Sequence, residues 1–385
     1  MRVVQKNVRI KKLITQMLWL LPGILFYALF RLSFLWPQLT ESVYSRGIFR
    51  VISQFISTAT GWLPFSLGEF LLYAFALFVL LHLIFMIVHA ILAGKAWWYI
   101  LLRRIIALLG VASVIYAVFI GLWGFNYARQ PLGDSLRLDT SPATVHELYD
   151  TCKALVHEAN ALRSLVPEDD NGVFSPADSK RDIMDNVSLY YNKAATLSGF
   201  DWLSGSFGRA KPVLYSTGLS YAHISGVYFP FTGEANVNAD IPMLYFAASV
   251  VHEAAHQRGF AREDEANFLA YYVGYFSGDP SIRYSGTMLA LSHSMSMLYR
   301  ADTSLYFDVR DLYSEGLVRD ISNNVAYWQQ FESPISETAK EVNNTFLKAN
   351  MQEDGVKSYG RMVDLLIGFW RAGGINTNLY KYDKM

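Results

Sequence analysis

The stretch between Val250 and Ala270 holds the residues best suited to chemistry. It reads VVHEAAHQRGFAREDEANFLA and contains an HExxH motif made of His252, Glu253 and His256. Residues four apart share one face of a helix, so both imidazoles can bind one ion. Glu253 lies one step round the helix, where it can take a proton from a water that the ion activates. The spacing therefore predicts one Zn²⁺ per chain and hydrolytic chemistry of the metallopeptidase type.

A third zinc ligand is expected shortly after the motif, at Glu263 or Glu265. Residues two apart point in nearly opposite directions on a helix, so only one of these carboxylates can face the ion. The pattern from Glu263 to Asn267 resembles the ExxA(D/N) ligand motif of glutamate-type zincins. We therefore predict Glu263 as the ligand, Glu265 as its alternative, and Asn267 as a hydrogen-bond partner of a ligand histidine. Only seven positions separate His256 from Glu263, which requires a tight turn.

Two helices must hold these side chains in place. The apolar run Ile241–Val251 leads into the motif, with Pro242 near the first helical turn, and Gly259 can end that helix. A second helix is predicted from Glu263 to about Phe276, before a break at residues 277–280. An ordinary amphipathic helix with two solvated histidines is the alternative interpretation of the same residues.

The residues just before this helix read as short strands separated by glycine and proline turns, from Pro212 to Asn238. In zincins an edge strand beside the zinc helix pairs with the extended substrate. We expect the region from Gly226 to Asn238 to supply that edge, and a purely structural hairpin is an equal alternative. The candidate substrate-edge residues are Gly226, Val227, Tyr228, Glu234, Ala235 and Asn236.

A hydrogen-bond donor for the oxyanion of the tetrahedral intermediate is expected further along the chain. His293, Tyr284 and Tyr299 are the candidates, and the sequence does not choose among them. Each of them can equally be a packing residue.

The remaining extracytoplasmic chain reads as helices with polar breaks. Residues 127–133 read as an extended linker or strand. Ser141 is expected to begin a helix that runs to about 165, and Ser175 to begin another that runs to about 198. Later helices are predicted near 280–300, 303–331, 334–350 and 356–372.

The composition indicates a membrane protein. Hydrophobic residues make up 52% of the 385 residues and charged residues only 17%. The single cysteine, Cys152, excludes a disulfide scaffold within the chain and any zinc site that needs paired cysteines.

Three apolar segments near the N-terminus are long enough to cross a bilayer, at about 13–36, 67–93 and 105–125. The first is too long for a cleaved signal peptide. Lys and Arg cluster in residues 1–12 and 94–104, which favours a cytoplasmic N-terminus and an extracytoplasmic domain over 126–385. Between the first two spans, Ile48, Phe49, Ile52, Phe55 and Ile56 recur at helical spacing. They predict a short helix on the membrane surface or on the ectodomain, with a re-entrant or packed helix as the alternative.

The net charge of zero hides an asymmetry between the two parts of the chain. Residues 1–124 carry 11 Lys and Arg against 2 Asp and Glu, whereas residues 125–385 carry 22 against 31. An acidic domain argues against nucleic acid as a partner. The expected partners are the lipid bilayer and a peptide or protein substrate, and the oligomeric state is left open.

Phe231–Asn238, followed by HEAAHQRGFAREDEANFLAYY, resembles an uncharacterised bacterial membrane family, domain-of-unknown-function family 3810. The resemblance extends from the N-terminal spans through Asn126–Arg129 to Ser358–Arg361. It implies a metallopeptidase-like zincin fold in a bacterial cytoplasmic membrane. It also assigns the HExxH residues to the zinc site, and it names no substrate.

Together these observations predict a mainly α membrane protein with two domains. Residues 1–125 form an anchor of three transmembrane helices, and residues 126–385 form an α+β zincin-like domain with a small sheet. The expected function is a membrane-anchored zinc metallopeptidase. The alternative is a non-catalytic sensor or adaptor that keeps the zincin scaffold.

Overall fold

The structure is a computed structural model that describes residues 2–350 and 359–374. It is mainly helical and contains a three-stranded sheet. The chain divides into two compact units. The first consists of Met1–Phe49 with Leu67–Arg129, and the second of Arg50–Ser66 with Gln130–Met385.

The first six helices follow one another closely. A π-helical segment, Thr40–Phe49, separates the third from the fourth. The helices are α1 (Arg2–Met17), α2 (Leu21–Ser33), α3 (Pro37–Leu39), α4 (Arg50–Gly61), α5 (Leu67–Leu92) and α6 (Trp97–Leu122).

Within the described residues, three helical stretches are long and apolar enough to cross a membrane, as the sequence predicted: Ile10–Ser33, Leu67–Leu92 and Trp97–Leu122. The third was expected to begin near residue 105, and its start was wrong. Gly94, with φ of 53°, makes the turn, and α6 begins directly at Trp97. The two arginines at 103 and 104 lie inside α6, because arginine is a good helix former even where it lowers hydropathy.

Small residues let the helices of the first unit approach closely. Pro22 lies in the first turn of α2, where its missing N–H interrupts the ladder that would join α1 to α2. The N–H of Gly23 donates to Ser113 Oγ at 2.9 Å, and this hydroxyl donates to Leu20 O at 3.0 Å. A Cβ at Gly23 would come within 2.6 Å of Ser113 Oγ. Glycine and serine therefore permit the α2–α6 crossing.

In the described residues of the second unit there are twelve further α-helices. They are α7 (Leu132–Leu136), α8 (Val145–Arg163), α9 (Lys180–Asp185), α10 (Val187–Ser198), α11 (Ser216–Tyr221), α12 (Met243–Gln257), α13 (Glu263–Phe276), α14 (Pro280–Ala301), α15 (Thr303–Arg310), α16 (Glu315–Gln329), α17 (Pro334–Ala349) and α18 (Tyr359–Arg371). Helices α12, α13 and α14 pack on one another, with α8 against α14 and both α10 and α18 against α13. The hydrophobic core surrounds α12 and α13, which are almost completely buried.

The sheet contains β1 (Lys211–Pro212), β2 (Gly226–Phe229) and β3 (Glu234–Val237), in the order β1-β3-β2. Strand β1 is parallel to β3, and β2 is antiparallel to it. The turn between β2 and β3 contains Gly233 at φ of 63°, a conformation that favours glycine. The first expected strand is only two residues long, and helix α11 follows it.

Several expected helix starts were displaced because a stronger cap lies nearby. Helix α8 begins after Thr144, whose side chain accepts from the N–H of Glu147 in a reciprocal capping box, and not after Ser141. The next helix begins after Ser179 instead of Ser175, with the same arrangement to Asp182. It then breaks at Asn186 into α9 and α10.

Two further expectations were also corrected. The helix predicted over 303–331 is two helices, because Ser314 caps a new one through the N–H of Leu317. Residues 127–133 were expected to be extended. They instead contain the end of a 3₁₀ turn, Gly124–Ala128, and the start of α7.

Helix α4 belongs to the second unit although it lies between two apolar spans in the sequence. Ser53 Oγ donates to Gln257 O at 2.6 Å, and Arg50 donates to Ser204 O at 2.9 Å. Its buried face is formed by Ser53 and Ser57, whereas Phe55 is exposed. Of the predicted apolar residues on this helix, Ile52 and Ile56 are half-buried and Phe55 is exposed, and the expected helix forms as part of the second unit. The small serines allow the chain at Gly208 to approach closely, since a Cβ there would clash with Ser57 O.

Candidate metal centre

A tight turn after α12 brings the start of α13 back beside it. The N–H of Gly259 donates to His256 O at 2.8 Å, and the N–H of Phe260 donates to Ala255 O at 3.1 Å. Gly259 adopts φ of 85°, which only glycine adopts readily. This turn returns the chain within the seven positions that separate His256 from Glu263.

Three acceptor groups converge at this turn. His252 Nε2 lies 3.2 Å from Glu263 Oε2, and His256 Nε2 lies 3.5 Å from Glu263 Oε1. One ligand atom from each of the three residues lies within 4.8 Å of the others. The side chains of His252, His256 and Glu263 are 13%, 8% and 23% exposed, so the cluster is largely buried.

The other ring nitrogens of both histidines are held by the protein. His256 Nδ1 donates to Phe260 O at 2.6 Å, because a carbonyl can only accept. His252 Nδ1 lies 2.9 Å from Asn267 Oδ1, the partner that the sequence predicted. These contacts fix the tautomer in which each Nε2 presents a lone pair to the cluster, which is the form that binds a metal.

Glu263 and Glu265 occupy different environments on the first turn of α13. Glu265 Oε1 accepts from the N–H of Leu132 and from Arg262, both at 2.8 Å. Glu265 therefore serves the packing of α7 and lies outside the cluster, whereas Glu263 lies inside it. The two-residue spacing separates them as helical geometry requires.

Glu253 is buried beside the cluster and lies against the backbone of β2. It is 4% exposed, and none of the described residues is a hydrogen-bond partner of its Oε2. A Cβ at Gly226 would come within 2.6 Å of both Glu253 Cγ and Oε1, so glycine is required there. Burial, with a smaller effect from Glu263, raises the pKa of Glu253 to about 7. A carboxyl with that pKa is suited to exchange protons near neutral pH.

The charge balance of the cluster favours a cation. Burial alone would lower the pKa of His256, but the Glu263 carboxylate raises it to about 9. Burial would raise the pKa of Glu263, but the two imidazoles hold it well below its usual range. Three converging acceptors attract either a proton or a metal ion. Two imidazoles and one carboxylate form a donor set that fits Zn²⁺ with a fourth position open.

Comparison with known families gives one match, and it covers most of the chain. Residues 44–367 match the family described as "Protein of unknown function (DUF3810)". The chain belongs to this family. No curated protein and no solved structure matches the chain.

The sheet of this DUF3810 protein places the predicted edge residues in two different strands. Gly226, Val227 and Tyr228 lie in β2, which is paired on one side only, to β3, within the part of the chain that the structure describes. The Tyr228 ring lies 6.4 Å from that of His256. Strand β2 is therefore an edge strand beside α12, the helix that carries His252 and His256.

The other three predicted edge residues lie in the central strand. Glu234, Ala235 and Asn236 belong to β3, between β1 and β2, and all three are buried. Asn236 is paired with Val227 on one side and with Lys211 on the other. Its backbone is not free to bind a substrate, so the assignment of these three residues to a substrate edge was wrong.

The three oxyanion candidates of the DUF3810 chain lie in three environments. His293 is largely buried, and burial together with the neighbouring His252 lowers its pKa to about 4. Tyr284 is fully buried and its hydroxyl donates to Asp320 at 2.6 Å. Tyr299 is 52% exposed and lines a cavity formed by α12, α14, α15 and α16.

Sequence reasoning missed two supports of the metal helix in this DUF3810 chain. Ser53 of α4 holds the carbonyl of Gln257, the last residue of α12. Lys211 and Glu234 form a buried ion pair at 2.6 Å, and Lys211 also donates to Thr60 O at 2.6 Å. No local pattern marks these residues, since each contact joins segments far apart in the sequence.

Proposed function

We propose that this protein is a membrane-anchored zinc metallopeptidase. It hydrolyses peptide bonds of an extracytoplasmic or membrane-proximal substrate. His252, His256 and Glu263 would hold one Zn²⁺, with Asn267 fixing the ring of His252. When bound, the ion would supply Lewis-acid activation of water and of the substrate carbonyl. Strand β2 would pair with the extended substrate.

Glu253 carries the proton chemistry in this proposal. Its carboxylate accepts a proton from the attacking water and then delivers that proton to the amine that leaves. The pKa near 7 allows both steps, because the group exchanges protons without a large energetic penalty in either direction. Of the three oxyanion candidates, Tyr284 is the least suited, because its hydroxyl already donates to Asp320.

One observation carries the proposal over a purely structural site. Glu253 is a buried acid with an oxygen that has no partner among the described residues, directly beside three converging metal ligands. A structural zinc site normally has four protein ligands and requires no neighbouring base. The non-catalytic sensor or adaptor, which would retain only the scaffold, does not account for this carboxyl group.

The first test measures zinc in the full chain, purified in detergent and supplied with Zn²⁺ after chelator treatment. We expect about one zinc per chain. Glu263→Ala should lose it, whereas the matched change Glu265→Ala, two residues away, should keep it. Failure of the parent protein to bind zinc would exclude the metallopeptidase.

The second test separates catalysis from binding. The Glu253→Gln protein should bind zinc as the parent does and lose its activity on a quenched-fluorescence peptide library by roughly 10²–10⁴-fold. If the parent binds zinc but neither protein cleaves any peptide in the library, the adaptor becomes the better description. Equal cleavage by both proteins would exclude Glu253 as the base.

The proposed orientation places the second unit outside the cytoplasm. It follows from the basic residues at 1–12 and 94–104 and from the three apolar helices. We expect a C-terminal alkaline phosphatase fusion to be active and a C-terminal green fluorescent protein fusion to be dark when exported in bacterial cells. The reverse pattern would place the metal centre in the cytoplasm.

A further inference from the structure

A cavity of about 500 Å³ lies in the second unit, apart from the metal cluster. Helices α12, α14, α15 and α16 form its walls. Its lining contains four tyrosines, two methionines, three aliphatic side chains, three serines and one arginine. The residues used below are Tyr245, Met288, Met295, Tyr299, Tyr306 and Arg310.

The cavity and the metal ligands lie along one face of α12. Tyr245, which lines the cavity, precedes His252 by seven residues, so the two side chains share a face. At 1.5 Å per residue the separation along the helix axis is about 10 Å. On α14, His293 interacts with His252 and stands directly after Ser292, which lines the cavity. The cavity is therefore the neighbour of the cluster towards the N-terminal end of α12.

The direction of β2 relates the cavity to the cluster of His252, His256 and Glu263. Gly226 lies against Glu253, and Tyr228 lies beside His256, so β2 runs along α12 in the same direction. A peptide that pairs with β2 must therefore also run along α12. One end of this peptide extends beyond Gly226 towards Tyr245 and the cavity.

We propose that this cavity is the subsite for an aromatic or large aliphatic side chain of the peptide substrate, about three residues from the cleaved bond. The inference rests on the proposed peptidase function. An extended peptide rises about 3.3 Å per residue, so three residues span the 10 Å between the cluster and Tyr245. Aromatic rings and methionine side chains suit such a ligand, because they bury large apolar area and adapt to its shape.

The size and openness of the cavity also fit a binding site. Its volume lies within the usual range of ligand pockets. Among the lining side chains, Tyr299 is half exposed, whereas Met288 and Met295 are buried. Arg310 adds one polar anchor for the peptide backbone.

The test uses peptide hydroxamates, which fix one end of a peptide at the metal. The zinc-loaded full chain in detergent is titrated with two series, one with the hydroxamate at the C-terminus of the peptide and one at its N-terminus. Each series carries Phe or Ala at the third residue from the hydroxamate and Gly elsewhere. We expect the Phe probe to bind about 10- to 100-fold more tightly than the Ala probe in one of the two series.

Two matched variants assign that preference to the cavity. Ser296 lines the cavity from an exposed position on α14, so Ser296→Trp should fill it and reduce the affinity for the Phe probe to that for the Ala probe. Ser304 is exposed on α15 outside the lining, and Ser304→Trp should keep the full preference.

The outcomes separate the two proposals. If both probes bind equally in both series, the metal centre stands and the subsite is wrong. If Ser296→Trp keeps the preference for Phe, another surface binds the side chain and the subsite is again wrong. If no hydroxamate binds to the zinc-loaded protein, the proposed function and the subsite are both overturned.

Discussion

Two buried glutamates of the second unit, Glu234 and Glu253, lie in opposite environments. Glu234 is 1% exposed, and its oxygens accept from Lys211 at 2.6 Å and from Thr232 at 2.7 Å. Glu253 is similarly buried, yet its Oε2 has no partner in the described part of the chain. Burial raises the pKa of Glu253 to about 7.

The difference shows which carboxylate serves stability and which is available for chemistry. A buried charge costs several kcal/mol unless ions or hydrogen bonds compensate it. At Glu234 the protein supplies both a cation and a hydroxyl, and the pair connects the sheet to the last turn of α4 through Thr60. At Glu253 Oε2, no hydrogen bond from the described residues offsets the free-energy cost of burying the charge. Uncompensated groups of this kind are concentrated at functional sites.

The largest expected effect comes from breaking the compensated pair. Lys211→Met removes the cation and leaves Glu234 buried alone, so we expect a loss of about 3–5 kcal/mol in the free energy of unfolding of the second unit. The unfolding midpoint of the full chain in detergent should fall by on the order of 10 °C. Lys211→Met combined with Glu234→Leu should recover most of this loss. If Lys211→Met alone is as stable as the parent, Lys211 does not compensate the buried charge of Glu234, and the difference drawn between Glu234 and Glu253 is wrong.

A smaller effect is expected at the contact that orients the cluster. Asn267→Ala removes the partner of His252 Nδ1, so zinc affinity should fall by about 10- to 100-fold. Competition with a fluorescent chelator measures this affinity. The exposed Asn323 on α16 offers a matched control, and Asn323→Ala should bind zinc as the parent does.

The smallest effect, and one of opposite sign, is expected at Glu253 itself. In chelator-treated protein, Glu253→Gln should raise the free energy of unfolding by on the order of 1–2 kcal/mol at pH 8. The folded-state pKa lies above the unfolded value of 4.5, so the folded protein binds the proton more tightly. The penalty therefore develops as pH rises from about 4.5 to 7 and is complete above that range. Thermal unfolding should show a larger gain at pH 8 than at pH 5. A loss at pH 8 would contradict the assignment.

The features that the sequence predicted well depend on residues close together in the chain. The repeat of His252 and His256 places two ligands on one face, and Gly259 marks the end of their helix. Glycine and proline likewise mark the limits of α13 from Glu263 to Phe276. Local chemistry of this kind was sufficient to predict that the side chains of His252, His256 and Glu263 come together.

The features that the sequence did not predict depend on contacts between residues far apart in the chain. The order of the strands in the sheet depends on pairing between segments far apart in the chain. Strands of at most four residues contain too little pattern to show that β3 lies between β1 and β2. Ser53 and Ser57 pack although they are polar, and Phe55 is exposed although it is apolar. Hydrophobic periodicity on α4 did not indicate this serine face, because the close approach of the chain at Gly208 to the backbone of Ser57 determines the contact.

The placement of α4 in the second unit also sets an order of events during synthesis. Ser53 and its partner Gln257 are 204 residues apart, and Lys211 follows Phe65 by 146. At about 5–20 residues per second, a ribosome needs roughly 10–40 s to make the chain between Ser53 and Gln257. During that time Ser53 on the serine face of α4 cannot contact Gln257, because Gln257 has not yet been synthesised. Because this serine face is small and polar, it exposes little apolar surface that could cause aggregation before α12 has been synthesised.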